Sequence, residues 1–189
     1  MVNSNDFSML TSTDVDYYIE VWADLDKSLW QQALDEEKVV NLGTNFIAKK
    51  GWYVPSYMVN KNAELAYFDK ISSQLLTYDN GNERFPLFAG SKYWSGANID
   101  NEIIVKLNLS DQLNVLYAES EQEQERQVMH AMLFHKPFIL SSWEPSALTR
   151  VFNLKRLSAS SSSMLHHLYT KSMPVYLVTS TQFFEQYPD

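Results

Sequence analysis

The chain has no cysteine among its 189 residues, so neither a disulfide framework nor a thiolate metal centre is open to it, and its redox compartment stays undefined. It is also short of positive charge. Fifteen Lys and Arg against 23 Asp and Glu give a formal charge of −8, which disfavours binding to a nucleic-acid backbone and mildly favours a cationic small ligand. No stretch approaches the roughly 20 apolar residues that would span a bilayer. The opening MVNSNDFSML has neither the basic nor the long apolar region of a secretory signal. Catalytic signatures are missing as well: there is no G-x-S-x-G elbow, no phosphate-binding P-loop and no G-x-G-x-x-G. His130 and His135 stand five apart, which on a helix turns them away from each other, and the pair His166-His167 is too short to define a metal tract. No catalytic residue, metal ligand or cofactor is expected.

What is present is apolar and aromatic mass, 45% and 14% of the residues, enough for one sizeable core or two small lobes. Strand and helix patterns alternate as in an α/β protein. Residues 15–22 (VDYYIEVW) read as a strand with Val15, Tyr17, Ile19 and Val21 on one face. Residues 28–38 carry Leu29, Trp30, Ala33 and Leu34 at helical spacing, with Trp30 a core residue. A short VVNLG segment and the apolar run 51–59 (GWYVPSYMV) follow, with Pro55 arguing for an edge strand or a crossing between lobes. Residues 62–78 place Leu65, Phe68, Ile71, Leu75 and Leu76 on a helical stripe, closed by the turn-rich 79–86. Then come a strand at 87–90, a loop at 91–96, a helix over 97–109, a strand at 113–118, a helix over 122–136 with Val128, Met129, Met132 and Leu133 inward, and a strand at 137–143. This β-α-β-α-β order predicts parallel strands. Residues 158–163 (SASSSS) predict a surface loop, and 174–180 (PVYLVTS) a last strand.

Trp22, Trp94 and Trp143 each stand just past one of these strands, where ligands bind in α/β folds. Together they suggest an aromatic cage. A quaternary ammonium ion has no N–H to donate, so the faces of electron-rich rings are among the few groups that hold it, at about 0.5–2 kcal/mol per ring. Trp52, Tyr53 and Tyr57 are further aromatic candidates, divided between packing and ligand contact. Asp24 and Glu144 stand beside two of the tryptophans. Ser95 and Gly96 open a helix, where unsatisfied N–H groups form an anion site or are simply capped. The acidic run 119–125 complements a helix dipole and carries no site role.

The ordered set IEVW at 19–22, VVNLG at 39–43, GWYVPSYM at 51–58, Tyr93-Trp94-Ser95-Gly96, ILSSWEP at 139–145, LKRL at 154–157 and PVYLV at 174–178 resembles the glycine betaine/choline-binding proteins of ABC transporters. The resemblance spans nearly the whole chain. It implies a two-lobed α/β fold of the periplasmic-binding-protein type (type II), with a truncated first lobe: residues 1–55 partial lobe I, 56–172 lobe II, and 173–189 a return to lobe I. It implies an interlobe aromatic cage of Trp22, Trp94 and Trp143, a small-molecule ligand, an ABC permease as partner, and a periplasmic or extracellular location; Asp24, Tyr53, Ser95, Gly96 and Glu144 are the further candidate ligand contacts by their position in the sequence. The family's opening strand–helix–strand and terminal helices are lacking, so the strand at 15–22 is expected to leave an uncovered edge and an exposed apolar face. Acids rather than donors follow Trp22 and Trp143, which predicts that choline competes at least as well as glycine betaine. The alternatives are a ligand-sensing module of a larger receptor, or a non-functional fragment of such a protein.

Overall fold

Strand β2 (Val39–Pro55) runs 17 residues and contributes to two compact units, its first part to Met1–Ala48 with Ser172–Asp189 and its last part to Lys49–Lys171. Sequence reading divides this stretch into a short segment at 39–43 and a run from 51. The residues between them are strand all the same, because their backbone groups are paired: 39–48 with strand β7 (Met173–Ser180) and 49–53 with strand β5 (Ile139–Glu144). The computed structural model describes residues 15–25, 27–77, 83–93, 96–159 and 172–188.

In the first unit β7 lies between strand β1 (Tyr17–Val21) and β2, antiparallel to both. Helix α1 (Lys27–Asp35) covers one face of this sheet, packing Trp30, Ala33 and Leu34 with Val21, Val39 and Val178. Trp30 stacks on Tyr176 with ring centroids 5.5 Å apart and planes 7° apart. The expectation that Val15, Tyr17, Ile19 and Val21 share a face fails at a register irregularity between Tyr18 and Val21. A bulge switches the facing of the residues beyond it. Tyr18 and Val21 therefore both join the core, whereas Tyr17 and Ile19 are more than half exposed. A second irregularity, between Asn41 and Gly43, has Gly43 at φ +122° with its N–H held by Asn41 Oδ1 at 2.9 Å. Only glycine adopts that backbone without strain. Helix α7 (Thr181–Gln186) ends the unit, capped by Ser180 Oγ, which accepts from the Phe183 N–H.

In the second unit the sheet order is β2, β5, β3 (Phe85–Ala89), β4 (Leu113–Tyr117), with the short strand β6 (Leu154–Arg156) also on β2. Strands β3, β4 and β5 are parallel, and β2 is antiparallel to β5 and β6. Alternation divides the side chains between two cores. Trp52, Val54, Leu87 and Ile139 meet helix α2 (Ser56–Lys61) through Met58, helix α3 (Phe68–Thr77) through Phe68, Ile71 and Leu75, and helix α4 (Gly96–Lys106) through Ile103 and Ile104. Tyr53, Phe88 and Leu140 meet helix α5 (Glu121–Leu133) through Val128 and Ala131, and helix α6 (Ala147–Val151) through Leu148.

Two helical expectations change. Residues 62–78 are not one helix: a 3-10 turn at Ala63–Ala66 is capped by Asn62, a bridge joins Tyr67 to Ser158, and α3 starts afresh at Phe68. Leu76, one step of about 100° beyond Leu75, then faces solvent. In α5 the buried stripe is Gln124, Val128 and Ala131, at i, i+4 and i+7, and Met129 and Leu133 are exposed. Gln124 belongs inside because its Nε2 donates to the Ser141 carbonyl at 3.1 Å. Of the serine-rich stretch, residues 160–163 lie outside the described residues.

Candidate functional site

The carboxyl ends of β3, β4 and β5 fall at Ala89, Tyr117 and Glu144, on one edge of the second unit's sheet. Ligands bind at such an edge in open α/β sheets. Strand β2 arrives at the same edge with Lys49 opposite Glu144 and Lys50 opposite Trp143. Directly opposed residues share a face, as do residues two apart, so Lys50, Trp52, Ser141 and Trp143 point to one side.

On that side Asp100, on the first turns of α4, is the centre of a polar cluster within an otherwise apolar layer. Its Oδ1 accepts from Trp52 Nε1 at 2.9 Å, and its Oδ2 accepts from Lys50 Nζ at 3.1 Å. Ser141 Oγ lies 2.9 and 2.8 Å from the two carboxylate oxygens and accepts from Lys50 Nζ at 2.8 Å. The side chains of Lys50 and Asp100 are 14% and 3% exposed, so the pair is nearly dry. A buried ion pair needs further hydrogen bonds to offset its desolvation, and Trp52 and Ser141 supply them. Gly96 lies against this lysine, and a Cβ there would stand in ordinary van der Waals contact with Lys50 Nζ, at 3.4 Å.

The opposite side of the same strands carries a second polar group. Tyr53 and Arg156 are cross-strand partners, and Arg156 Nη2 donates to the Lys50 carbonyl at 2.9 Å. Gly51 lets the guanidinium lie this close, because a Cβ at that position would stand 2.6 Å from Arg156 Nε. Burial pushes the Tyr53 phenol well above its ordinary pKa, and the negative charge of Glu144 pushes the same way.

Among the residues anticipated from the sequence, Gly96, Trp143, Tyr53 and Glu144 are gathered at or near this edge. Trp143 and Glu144 are half-buried, whereas Tyr53 is 1% exposed with its ring in the core beside Phe88 and Phe138. Trp94 and Ser95 lie outside the described residues and directly precede Gly96 in sequence. Trp22 and Asp24 belong to the first unit. The Trp22 ring is buried, edge-on to Phe46 at 6.2 Å, and Asp24 is ion-paired with Lys27 at 3.5 Å. Trp52 is wholly buried, and Tyr57 donates its hydroxyl hydrogen to the Lys136 carbonyl. Sequence reading missed Lys50, Asp100, Ser141 and Arg156. A signal for the first two exists: Lys50 is two residues from Trp52 in a strand, and Asp100 lies three and four residues before the inward Ile103 and Ile104.

Parallel strands with aromatic, acidic and cationic side chains at their carboxyl edge define an α/β domain of the open-sheet class, in which that edge is where ligands generally bind. The chain belongs to the family described as the substrate binding domain of ABC-type glycine betaine transport systems, which it matches over residues 2–189. Similar solved structures include the glycine betaine/L-proline-binding protein ProX from Borrelia burgdorferi, at TM-score 0.71 and 16% identity, covering 100% of this chain and 65% of that one. Lactococcal OpuAC in complex with glycine betaine is similar at TM-score 0.66 and 14% identity, over 99% of this chain and 66% of that one. An ABC-transporter choline-binding protein in complex with choline follows at TM-score 0.68 and 17% identity, over 97% and 61%. This chain thus spans about two thirds or less of the length of these proteins. Its fold is theirs, the mixed α/β fold of type II periplasmic binding proteins. No curated protein sequence matches it.

Proposed function

We propose that this chain binds a small quaternary ammonium compound of the betaine and choline class, for uptake by an ABC-type permease, and that it catalyses no reaction. The observation that carries this reading is the family match along residues 2–189. In this reading Trp22, Trp94 and Trp143 contact the methylated cation, Asp24 and Glu144 stand near it, and Ser95 and Gly96 offer backbone donors, while Tyr53, its ring in the core, packs beneath the site. The protein works outside the cytoplasmic membrane, as the family's members do. Among the described residues no helix is long and apolar enough to cross a membrane.

Three rings supply on the order of 2–6 kcal/mol, and micromolar affinity needs about 8 kcal/mol. Burial of methyl groups and polar contacts at the ligand's other end make up the difference. Isothermal titration with glycine betaine, choline and unmethylated glycine tests the reading. Saturable heat with at least one methylated compound and none with glycine is the expected result. Absence of binding by both methylated compounds rejects it.

A further inference from the structure

Resting on the quaternary ammonium reading, we infer that Lys50 is a specificity-determining residue that favours ligands carrying a carboxylate, so that glycine betaine is preferred over choline. The acids at 24 and 144 suggest the opposite preference from sequence alone. The cationic donor they lack stands elsewhere, on β2.

An ammonium group has three N–H donors. Two of those on Lys50 go to Asp100 and Ser141, and a third has no partner among the described residues. The group sits beside the start of α4, against the face of Gly96 that bears no side chain, and α4 follows Trp94 and Ser95 in sequence. Trp143, a cage tryptophan of this unit, lies directly across the ladder from Lys50. Asp100 and Ser141 hold the ammonium in place, while Trp52 Nε1 donates to the other carboxylate oxygen of Asp100. The lysine thus keeps one charge-assisted donor for an incoming anion. A carboxylate reaching it gains a short ionic hydrogen bond in a site that is already largely dehydrated. The hydroxyl of choline gains only a neutral one.

The test compares glycine betaine and choline by calorimetry on the wild type and on Lys50→Met combined with Asp100→Asn. The double variant removes both charges together, so neither is left buried alone. In the wild type glycine betaine should bind more tightly than choline, and the betaine-to-choline affinity ratio should fall about tenfold in the double variant. Equal losses for both ligands in that variant, or a wild type that prefers choline, overturn the role of Lys50 while leaving the quaternary ammonium reading intact. A wild type that binds neither compound overturns both.

Discussion

Asp100 shows how much of this site depends on single atoms. Its carboxylate takes hydrogen bonds from an indole, a hydroxyl and an ammonium inside a layer built mainly of Ile, Leu and Phe. Removing one member of a buried ion pair leaves the other charge uncompensated, which costs about 3–5 kcal/mol, against about 0–1 kcal/mol for an exposed pair. Asp100→Ala should therefore lower stability by about 3–5 kcal/mol, read from urea unfolding at neutral pH. A loss below about 1 kcal/mol would show that water reaches Lys50 freely.

Tyr53 gives a pH-dependent counterpart. Its folded-state pKa is raised above the unfolded value of 10.0, so the proton is bound in both states at neutral pH and the stabilisation is fully present there. As pH climbs past the unfolded value, the unfolded phenol ionises while the folded one keeps its proton. Stability is then lost at up to about 1.4 kcal/mol per pH unit. Urea midpoints measured from pH 8 to 11 should fall more steeply for the wild type than for Tyr53→Phe. Parallel slopes would mean that the phenol ionises as readily in the fold as out of it.

At the scale of elements, legibility follows the strength of local signals. The parallel strands β3, β4 and β5 and the last strand were readable from apolar runs bounded by turn residues, and α1 from the helical spacing of its apolar residues. The middle of β2 was not, because TNFIAKK has only a three-residue apolar run with no alternation around it and is strand through pairing with segments far away in sequence. The inward position of Gln124 escaped notice for a related reason: its partner is the backbone of another strand. Local signals do fix the start of α5, where Ser120 Oγ accepts from the Glu123 N–H at 3.2 Å and Glu123 reaches back to the Glu119 N–H at 2.6 Å. Glu121 and Glu123 also complement the dipole of the first turn. Ser120→Ala should cost about 1 kcal/mol, seen as a drop of roughly 2–4 °C in a thermal melt. No change would mean that the Glu123 contact alone holds the helix start.

For the whole molecule, the family and the α/β order were legible because they reside in the succession of motifs from IEVW to PVYLV. The Lys50–Asp100 cluster was not, since its members lie 50 residues apart and meet only through the sheet. The bulge in β1 was likewise invisible, and it leaves Tyr17 and Ile19 exposed on a strand that pairs only with β7 among the described residues. A chain that spans 65% of a similar protein can still bind ligand if the contacts it carries suffice, and linkage measures this whatever pose the ligand takes. A ligand that binds only the folded state adds about 2.7 kcal/mol at 100 times its dissociation constant. For a chain of this size each kcal/mol raises the melting temperature by about 2–4 °C, so glycine betaine at that excess should raise it by roughly 5–11 °C. Scanning calorimetry with glycine betaine kept well below the concentrations at which it acts as a general osmolyte, and with glycine at the same concentration, separates binding from solvent effects. Equal shifts with the two compounds would mean that the residues present here do not form a ligand site by themselves.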